Sequence, residues 1–446
     1  MLETNRNKVT PPVGNTLVVY ALLDWPLRST LHDHLYSFRQ SSASRVFYLN
    51  VLVQRIPRWL LALDFDLIVY HNSFFSTRWT PEIFQEVSES VDELACLSAT
   101  SVALVQDEFL MGNVVTDFIN QTEIDVVFTT AAETEIEKLY PRVDRQQTRF
   151  HRVLTGYLAT ATLDRIARIV EDTPERKNDI GYRAYRSDFW LGSHGVMKWK
   201  IAEAVAEIAR RDGLVVDIST SPEDTLLGDR WFEFLASCRY TIGVEGGASI
   251  ADLDGEVKSA TEAYLARNPR ASFDEVKMEC FRDRDGELSH FALSPRHLEA
   301  CATRTAQVLV EGEYNGVLTP WVHYFPVKKD LSDLERVLEL SRDEGLREAM
   351  VERAYVDIVE SGSYVYSAFV TEVEEVALGE PMRGRLPSRR ADAWLLANRL
   401  LERYAWVRVA LRAGLYRRSA ALPTSLLVYV LRASSWLRRA RLGFLR

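Results

Sequence analysis

Two short stretches hold the residue types best suited to gripping a phosphorylated ligand. Gly181-Tyr182-Arg183 ends an apolar run, and Gly192-Ser193-His194-Gly195-Val196-Met197-Lys198 follows it and opens a helical pattern. A strand ending in arginine, a glycine-bearing turn and a lysine early in the next helix would bring two cations and free helix N–H groups to one point. Arginine offers a planar fork of donors to phosphate oxygens, and lysine adds a mobile point charge. Arg183 and Lys198 are therefore expected to hold a diphosphate. A second constellation, Val244-Glu245-Gly246-Gly247-Ala248-Ser249, directly follows another apolar run. Paired glycines let the backbone approach a ligand closely, and a carboxylate at a strand end suits sugar or ribose hydroxyls. Glu245 is expected to be catalytic, with Gly246, Gly247 and Ser249 as ligand-binding positions. In the first half of the chain Asp24, His34 and His71 stand at or just beyond strand ends, where a base able to take a proton would be placed.

The elements that must position these residues are strands alternating with helices. Short apolar runs at residues 17–23, 45–52, 65–70, 101–105, 124–128 and 150–154 are separated by amphipathic stretches such as 81–97. Near-continuous apolar strands with helices between them predict a parallel sheet covered on both faces. Residues 13–170 read as one such domain. A polar segment at 171–178 reads as a linker, after which the pattern restarts with strands at 179–183, 214–218 and 240–244 and helices at 196–210 and 231–236. The expected fold class is α/β, two Rossmann-like doubly wound domains facing a cleft, the second spanning 179–345 with a charged insertion at 254–292. Helices at 346–380 would pack back, and the Pro-Met-Arg-Gly-Arg-Leu-Pro stretch from Pro381 to Pro387 reads as a hinge into a basic tail at 381–446. Asp252-Leu253-Asp254 has the form of a metal-binding Asp-x-Asp but reads as a solvated loop, and no metal or cofactor is expected.

Farther along, Arg296-His297-Leu298-Glu299-Ala300 precedes a strand, then come Glu311-Gly312-Glu313-Tyr314-Asn315-Gly316 and His323-Tyr324-Phe325-Pro326-Val327-Lys328-Lys329-Asp330. This order resembles the donor domain of group-1 (family 4) GT-B glycosyltransferases of bacterial surface polysaccharides. The resemblance covers roughly residues 15–345. It implies a nucleotide-diphosphate sugar as donor substrate, with Arg183 and Lys198 on the diphosphate, Glu245, Gly246 and Gly247 facing the transferred sugar, and Glu299 on the ribose. It also implies retention of anomeric configuration without a strong general base; inversion would require one from Asp24, His34 or His71. Glu245 and Glu299 are separated here by 53 residues, whereas the family keeps its two glutamates close together, so Glu311 and Glu313 rival Glu299. A sugar-nucleotide epimerase of the same fold, or a non-catalytic scaffold for polysaccharide assembly, is the alternative.

Composition limits the partners. The four cysteines, Cys96, Cys238, Cys280 and Cys301, form no C-x-x-C pair and read as buried thiols of a reducing compartment. The polar N-terminal residues 1–12 do not fit a secretory leader, and the longest apolar run near the C-terminus, 13 residues at 419–431, is too short to span a bilayer. The net charge of −9 conceals an asymmetry: residues 381–446 carry fifteen arginines, no lysine and two acids. An acidic body is thus joined to a basic tail in which arginine alternates with leucine and tryptophan. Such a pattern suits the plane of an anionic membrane and does not suit nucleic acid. The expected location is the cytoplasmic face of a membrane, peripherally bound, with a glycan or lipid-linked acceptor.

Overall fold

The computed structural model describes residues 14–379 and 389–419. The expected hinge at 381–387, the N-terminal segment 1–12 and the tail beyond Ser419 lie outside the described residues. The first domain is a six-stranded parallel sheet in the order β2-β1-β3-β4-β5-β6. Its strands are β1 Asn15–Tyr20, β2 Arg45–Asn50, β3 Leu67–Tyr70, β4 Thr100–Leu104, β5 Val126–Thr129 and β6 Arg149–Arg152. They coincide with the six apolar runs because a strand covered on both faces must be apolar on both. β2, β3 and β5 are buried throughout. The order reverses between β1 and β3, so the loops after these strands diverge and leave a gap for a ligand.

The second domain has a five-stranded parallel sheet, order β13-β12-β9-β7-β8, formed by β7 Asn178–Arg183, β8 Val216–Ser219, β9 Cys238–Gly243, β12 Ala306–Val310 and β13 Phe325–Val327. A separate antiparallel pair, β10 Gly246–Ala248 with β11 His290–Ala292, brackets the insertion. The insertion is thus a closed excursion whose two ends are hydrogen-bonded to each other. It carries helices Glu256–Arg267 and Phe273–Cys280, the latter started by a capping box between Ser272 and Glu275. The polar segment between the domains is not simply solvated. Arg176 within it donates to the carbonyls of Cys238, Thr303 and Arg304, tying the lower ends of β9 and β12 together.

The two domains meet along a bonded seam. Met111 N–H donates to the Asp252 carbonyl (2.9 Å), Asp252 N–H to Phe109 (2.7 Å) and Asn113 N–H to Leu253 (3.2 Å). The Asp252 carboxylate is buried and accepts the N–H groups of Val257 and Lys258, capping the first helix of the insertion. The Asp-x-Asp segment is therefore an interdomain strap and not the solvated loop expected from its composition. The cysteines also differ from expectation. All four are free thiols, but Cys96 is exposed and Cys280 half-buried.

Beyond the second sheet the chain returns to the first domain. Helix Tyr366–Leu378 buries Phe369, Val370 and Val373 against Leu35 and Phe38 of helix Ser29–Ser41. Helix Arg389–Ser419 then covers the outer edge of β2. Asn398 accepts from Tyr48 N–H (2.9 Å) and donates to the Tyr48 carbonyl (3.0 Å), satisfying backbone groups that an edge strand would leave open. Trp394 stacks on Trp59 at 4.9 Å, and buried Arg45 pairs with Asp392. No helix among the described residues is long and apolar enough to cross a membrane. Replacing Asn398 by Leu leaves both Tyr48 groups without a partner, so urea unfolding is expected to show a loss of about 1–3 kcal/mol; an unchanged midpoint would mean that the helix does not cover this edge.

Candidate functional site

The strand ends of both sheets face a crevice of about 260 Å³. The first domain contributes Thr30, Leu31 and His34 after β1, Asn72 after β3 and Gln106 and Asp107 after β4; Lys198, Gly246, Gly247, His290 and Pro295 come from the second. A larger cavity of about 660 Å³ lies between Asn113, Arg142, Asp254 and Arg284 on the other side of the strap. Its cations are already paired, Lys138 with Glu135, Arg142 with Asp117 and Arg284 with Glu287. The smaller crevice is the one built from strand ends.

His34 and His71 form a relay at the point where the strand order reverses. His71 is buried at the start of helix Asn72–Phe75, and its Nδ1 accepts the Ser73 N–H at 3.2 Å. An acceptor at Nδ1 puts the proton of the neutral ring on Nε2, which donates to His34 Nδ1 at 2.9 Å. The proton of His34 consequently sits on its Nε2. Burial lowers His34 to about 4, so the ring stays neutral near pH 7. Burial, reinforced by His34, also lowers His71. His34 reaches the crevice, and His71 orients it from behind.

Asp107 stands opposite with φ +53, a conformation in which a residue other than glycine is held only by its surroundings. The holding group is Arg78, 1 % exposed, whose guanidinium donates to the carbonyls of Leu110 (2.8 Å), Phe75 (2.8 Å), Gln106 (2.9 Å) and Asp107. The Asp107 carboxylate has no hydrogen bond or ion pair among the described residues. Its neighbour Glu108 is buried and accepts from Thr129 Oγ1 (2.6 Å), Thr130 N–H (2.9 Å) and His290 Nε2 (2.8 Å). Burial works to raise the Glu108 carboxyl, but the His290 charge and these hydrogen bonds outweigh it and hold the group at about 2. Burial likewise opposes the His290 charge, and Glu108 overcomes it and raises the imidazole.

On the second domain Lys198 lies half-buried in the second turn of helix Gly192–Asp212. Burial, and then the repulsion of Arg296, lower its ammonium to about 8. Arg296, at the start of helix Pro295–Ala302, donates to the Arg183 carbonyl at 2.8 Å and lies 6.0 Å from the centre of the Tyr182 ring, next to Pro295 of the crevice wall. Neither cation is paired with a carboxylate among the described residues. Arg183, expected on the diphosphate, is engaged elsewhere. Its guanidinium pairs with Asp217 (2.8 Å) and lies 4.4 Å from the centre of the Phe234 ring. Its backbone carbonyl, not its side chain, is what meets Arg296.

Glu245 also turns away from the crevice. Its carboxylate is buried under the loop after β12, accepting Tyr314 N–H at 2.7 Å, and burial raises it. A Cβ at Gly312 would lie 2.2 Å from Glu245 Oε2, so the glycine makes room for this bond. The carbonyls of Glu245 and Gly246 accept His194 Nε2 at 3.1 and 3.3 Å, while the His194 ring stacks 3.8 Å from Phe291. Gly246 and Gly247 line the crevice. Gly247 has φ +106, and a Cβ there would stand 1.8 Å from the His290 carbonyl, so glycine is required.

Ser249 donates to Asp285 at 2.7 Å. Asp285 accepts Ser193 N–H at 2.9 Å and pairs with Lys277. The N-terminus of helix Gly192–Asp212, where a diphosphate was expected, is thus capped by a carboxylate of the insertion. Glu299 is buried, accepts Trp231 Nε1–H at 2.8 Å and is raised by burial, while Glu311 and Glu313 are exposed. Asp24 is exposed on the rim. Of the sequence-based site residues, the crevice gathers His34, Lys198, Gly246 and Gly247. Asp107 and His290 join them without having been singled out, and Arg296 stands next to the lining residue Pro295. Asp107 stood in a strand-end motif and Arg296 in the family motif, whereas His290 lay inside the insertion with no local signal.

Two doubly wound sheets facing one another across a crevice at their strand ends form the GT-B arrangement. No family model matches the chain, and no curated protein matches it. Solved structures overlap most of its length. HepE of Anabaena in complex with UDP-glucose has 10% identity and a TM-score of 0.45 over 82% of this chain and 100% of that one. BGT of T4 phage in complex with its UDP-glucose substrate has 10% identity and a TM-score of 0.45 over 82% and 99%. A glycosyltransferase from Rickettsia africae has 8% identity and a TM-score of 0.44 over 82% and 98%. Overlaps at this level carry no argument about this chain, and the functional reading stands on the crevice itself.

Because the folded Glu108 carboxyl lies at about 2, below its ordinary 4.5, the stability it contributes is present above pH 4.5 and is lost as pH falls toward 2. Glu108→Gln is expected to lower stability by about 3–5 kcal/mol at neutral pH by stranding His290. In urea titrations at stepped pH the gap from the parent narrows below pH 4.5; a constant gap would contradict an ionised Glu108.

Proposed function

We propose that this chain is a GT-B glycosyltransferase that moves a sugar from a nucleotide-diphosphate sugar to a hydroxyl of a glycan or lipid-linked acceptor. The observation that carries the reading is the pair Lys198 and Arg296, two cations without carboxylate partners among the described residues. Lys198 lines the crevice together with a glycine hairpin that lets a ligand come close to backbone, and Arg296 follows Pro295 of the same wall. Two such charges repel each other and favour an anion between them. A diphosphate supplies that anion, and the reaction then places growing charge where the cations already are.

In this reading the bond from the anomeric carbon to the diphosphate breaks, with its electron pair leaving on the nucleoside diphosphate toward Lys198 and Arg296. The acceptor oxygen forms the new bond. His34 offers Nε2–H to an oxygen of the sugar or acceptor, and the neutral side chains Asn72, Gln106 and Thr130 supply further partners for hydroxyls. The charge-stabilising role needs no metal ion. Enclosure between the domains limits the loss of the donor to water. Glu299, which holds Trp231, is assigned the ribose through the family resemblance, and Glu245 the support of the loop after β12.

Retention of configuration belongs to the proposal through the family-4 resemblance. In that course the acceptor proton passes to the leaving phosphate, and Asp107 orients the acceptor and faces the developing positive sugar. A second reading, inversion with Asp107 taking the proton, is favoured by one observation, the unpaired carboxylate in a backbone braced by Arg78. The anomer first formed, read by proton NMR, separates the two. An epimerase would use the same crevice, but the arginine-rich tail supports an acceptor at a membrane face.

Calorimetric titration with UDP, GDP and ADP tests the reading. One of the three is expected to bind, and Lys198→Met or Arg296→Met to weaken it about tenfold to a hundredfold, the worth of one charge-assisted contact. Affinity declines above about pH 8 as Lys198 loses its proton, and Lys198→Arg restores binding there. Failure of all three nucleotides to bind would remove the proposal.

A further inference from the structure

We propose that the outer face of helix Arg389–Ser419 is a docking surface for an anionic lipid bilayer and that it turns the mouth of the crevice toward that bilayer. The membrane location rests on the reading above; the surface itself stands on the geometry of this helix. The inner face, with Ala391, Asn398, Ala405 and Val409, is buried on the edge of the first domain. At about 100° per residue, Leu396, Leu400, Tyr404, Val407 and Leu411 fall within about 80° of one another on the opposite side. Each of the five is 55–63% exposed. An ordinary surface helix has one apolar stripe and turns polar residues outward; this one has a second stripe that none of the described residues covers.

The borders of the stripe identify its partner. By the same rotation Arg399 and Arg403 lie along one border and Arg390 along the other, where Arg408 also stands but donates to the Val53 carbonyl at 2.9 Å. Arginine stems can lie on apolar surface while their guanidinium groups reach outward to phosphate. The sequence beyond Ser419 adds five arginines and no acidic residue. Arg390, Arg399 and Arg403 around a leucine stripe match a layer with anionic headgroups over hydrocarbon. The acids of this helix do not oppose that match: Glu402 faces inward to Tyr36 and Arg39, and Asp392 pairs with Arg45.

The stripe also points to the site. Trp406, on the same helix, packs against Trp25 with ring centres 5.5 Å apart and the planes tilted by 45°. Trp25 and Leu23 are 45% and 39% exposed and extend the apolar surface along the loop after β1. That loop runs directly into Thr30 and Leu31 of the crevice wall. A bilayer against the stripe would therefore meet the acceptor side of the crevice, a placement suited to an acceptor carried on a lipid.

The full chain sedimented with extruded vesicles tests the proposal. It is expected to pellet with phosphatidylglycerol–phosphatidylcholine vesicles and at least tenfold less with phosphatidylcholine alone. Leu400→Asp with Val407→Asp is expected to weaken partition to the anionic vesicles at least tenfold while the urea midpoint and nucleoside-diphosphate titration stay unchanged. That titration keeps a failed surface distinct from a failed donor site. The proposal is overturned if the double variant pellets as the parent does, if the parent stays in the supernatant, or if light scattering shows a dimer that the variant dissolves.

Discussion

A carboxylate and an imidazole, one from each domain, meet in the interior of this molecule, and the crevice depends on their meeting. Glu108 and His290 are each about 2% exposed, and neither could remain charged there alone. Each favours the charged form of the other, and each is carried by a loop or strand whose neighbours line the crevice. Asp107 precedes Glu108, and Gly247 touches the backbone of His290. The strap at Asp252 closes the same seam with backbone hydrogen bonds, so the facing strand ends are held in register from two sides. Moving one sheet relative to the other would break a desolvated ion pair, which resists such motion far more than apolar contact alone.

This seam explains why much of the site was hidden in the sequence although most of the fold was legible there. The strands of both sheets stood out because parallel strands are apolar on both faces, and the glycine pair at 246–247 marked a place of close backbone approach. The direction of a side chain at a strand end is a different matter. Arg183 and Glu245 each stand where a ligand-facing residue belongs, yet both turn inward. Asp217 and the Phe234 ring draw Arg183 aside, and the N–H groups after β12 draw Glu245 down. Nothing local to either residue encodes those partners, which lie 34 and 69 positions away.

The insertion shows the same limit in its strongest form. Read as a charged excursion, it contributes His290 to the crevice floor and Asp285 to the start of helix Gly192–Asp212. An anion of the protein thereby occupies the helix terminus that would otherwise attract a phosphate. The cations without a carboxylate partner among the described residues then lie one turn further along, at Lys198, and on the neighbouring helix, at Arg296. The tail was legible as basic and amphipathic. Its division into an inner face on β2 and an outer face in solvent became visible only with Asn398 placed on the edge strand.

The central claim is that a nucleoside diphosphate lies between Lys198 and Arg296, against the glycine hairpin. A crystal structure of the full chain with whichever nucleoside diphosphate binds most tightly tests it most directly. The account predicts phosphate oxygens in contact with both cations and with the backbone beside Gly246 and Gly247, while the carboxylates of Glu245 and Asp285 keep their present partners. Phosphates bound instead at the start of helix Gly192–Asp212, with Asp285 displaced and Arg183 swung toward them, would contradict it.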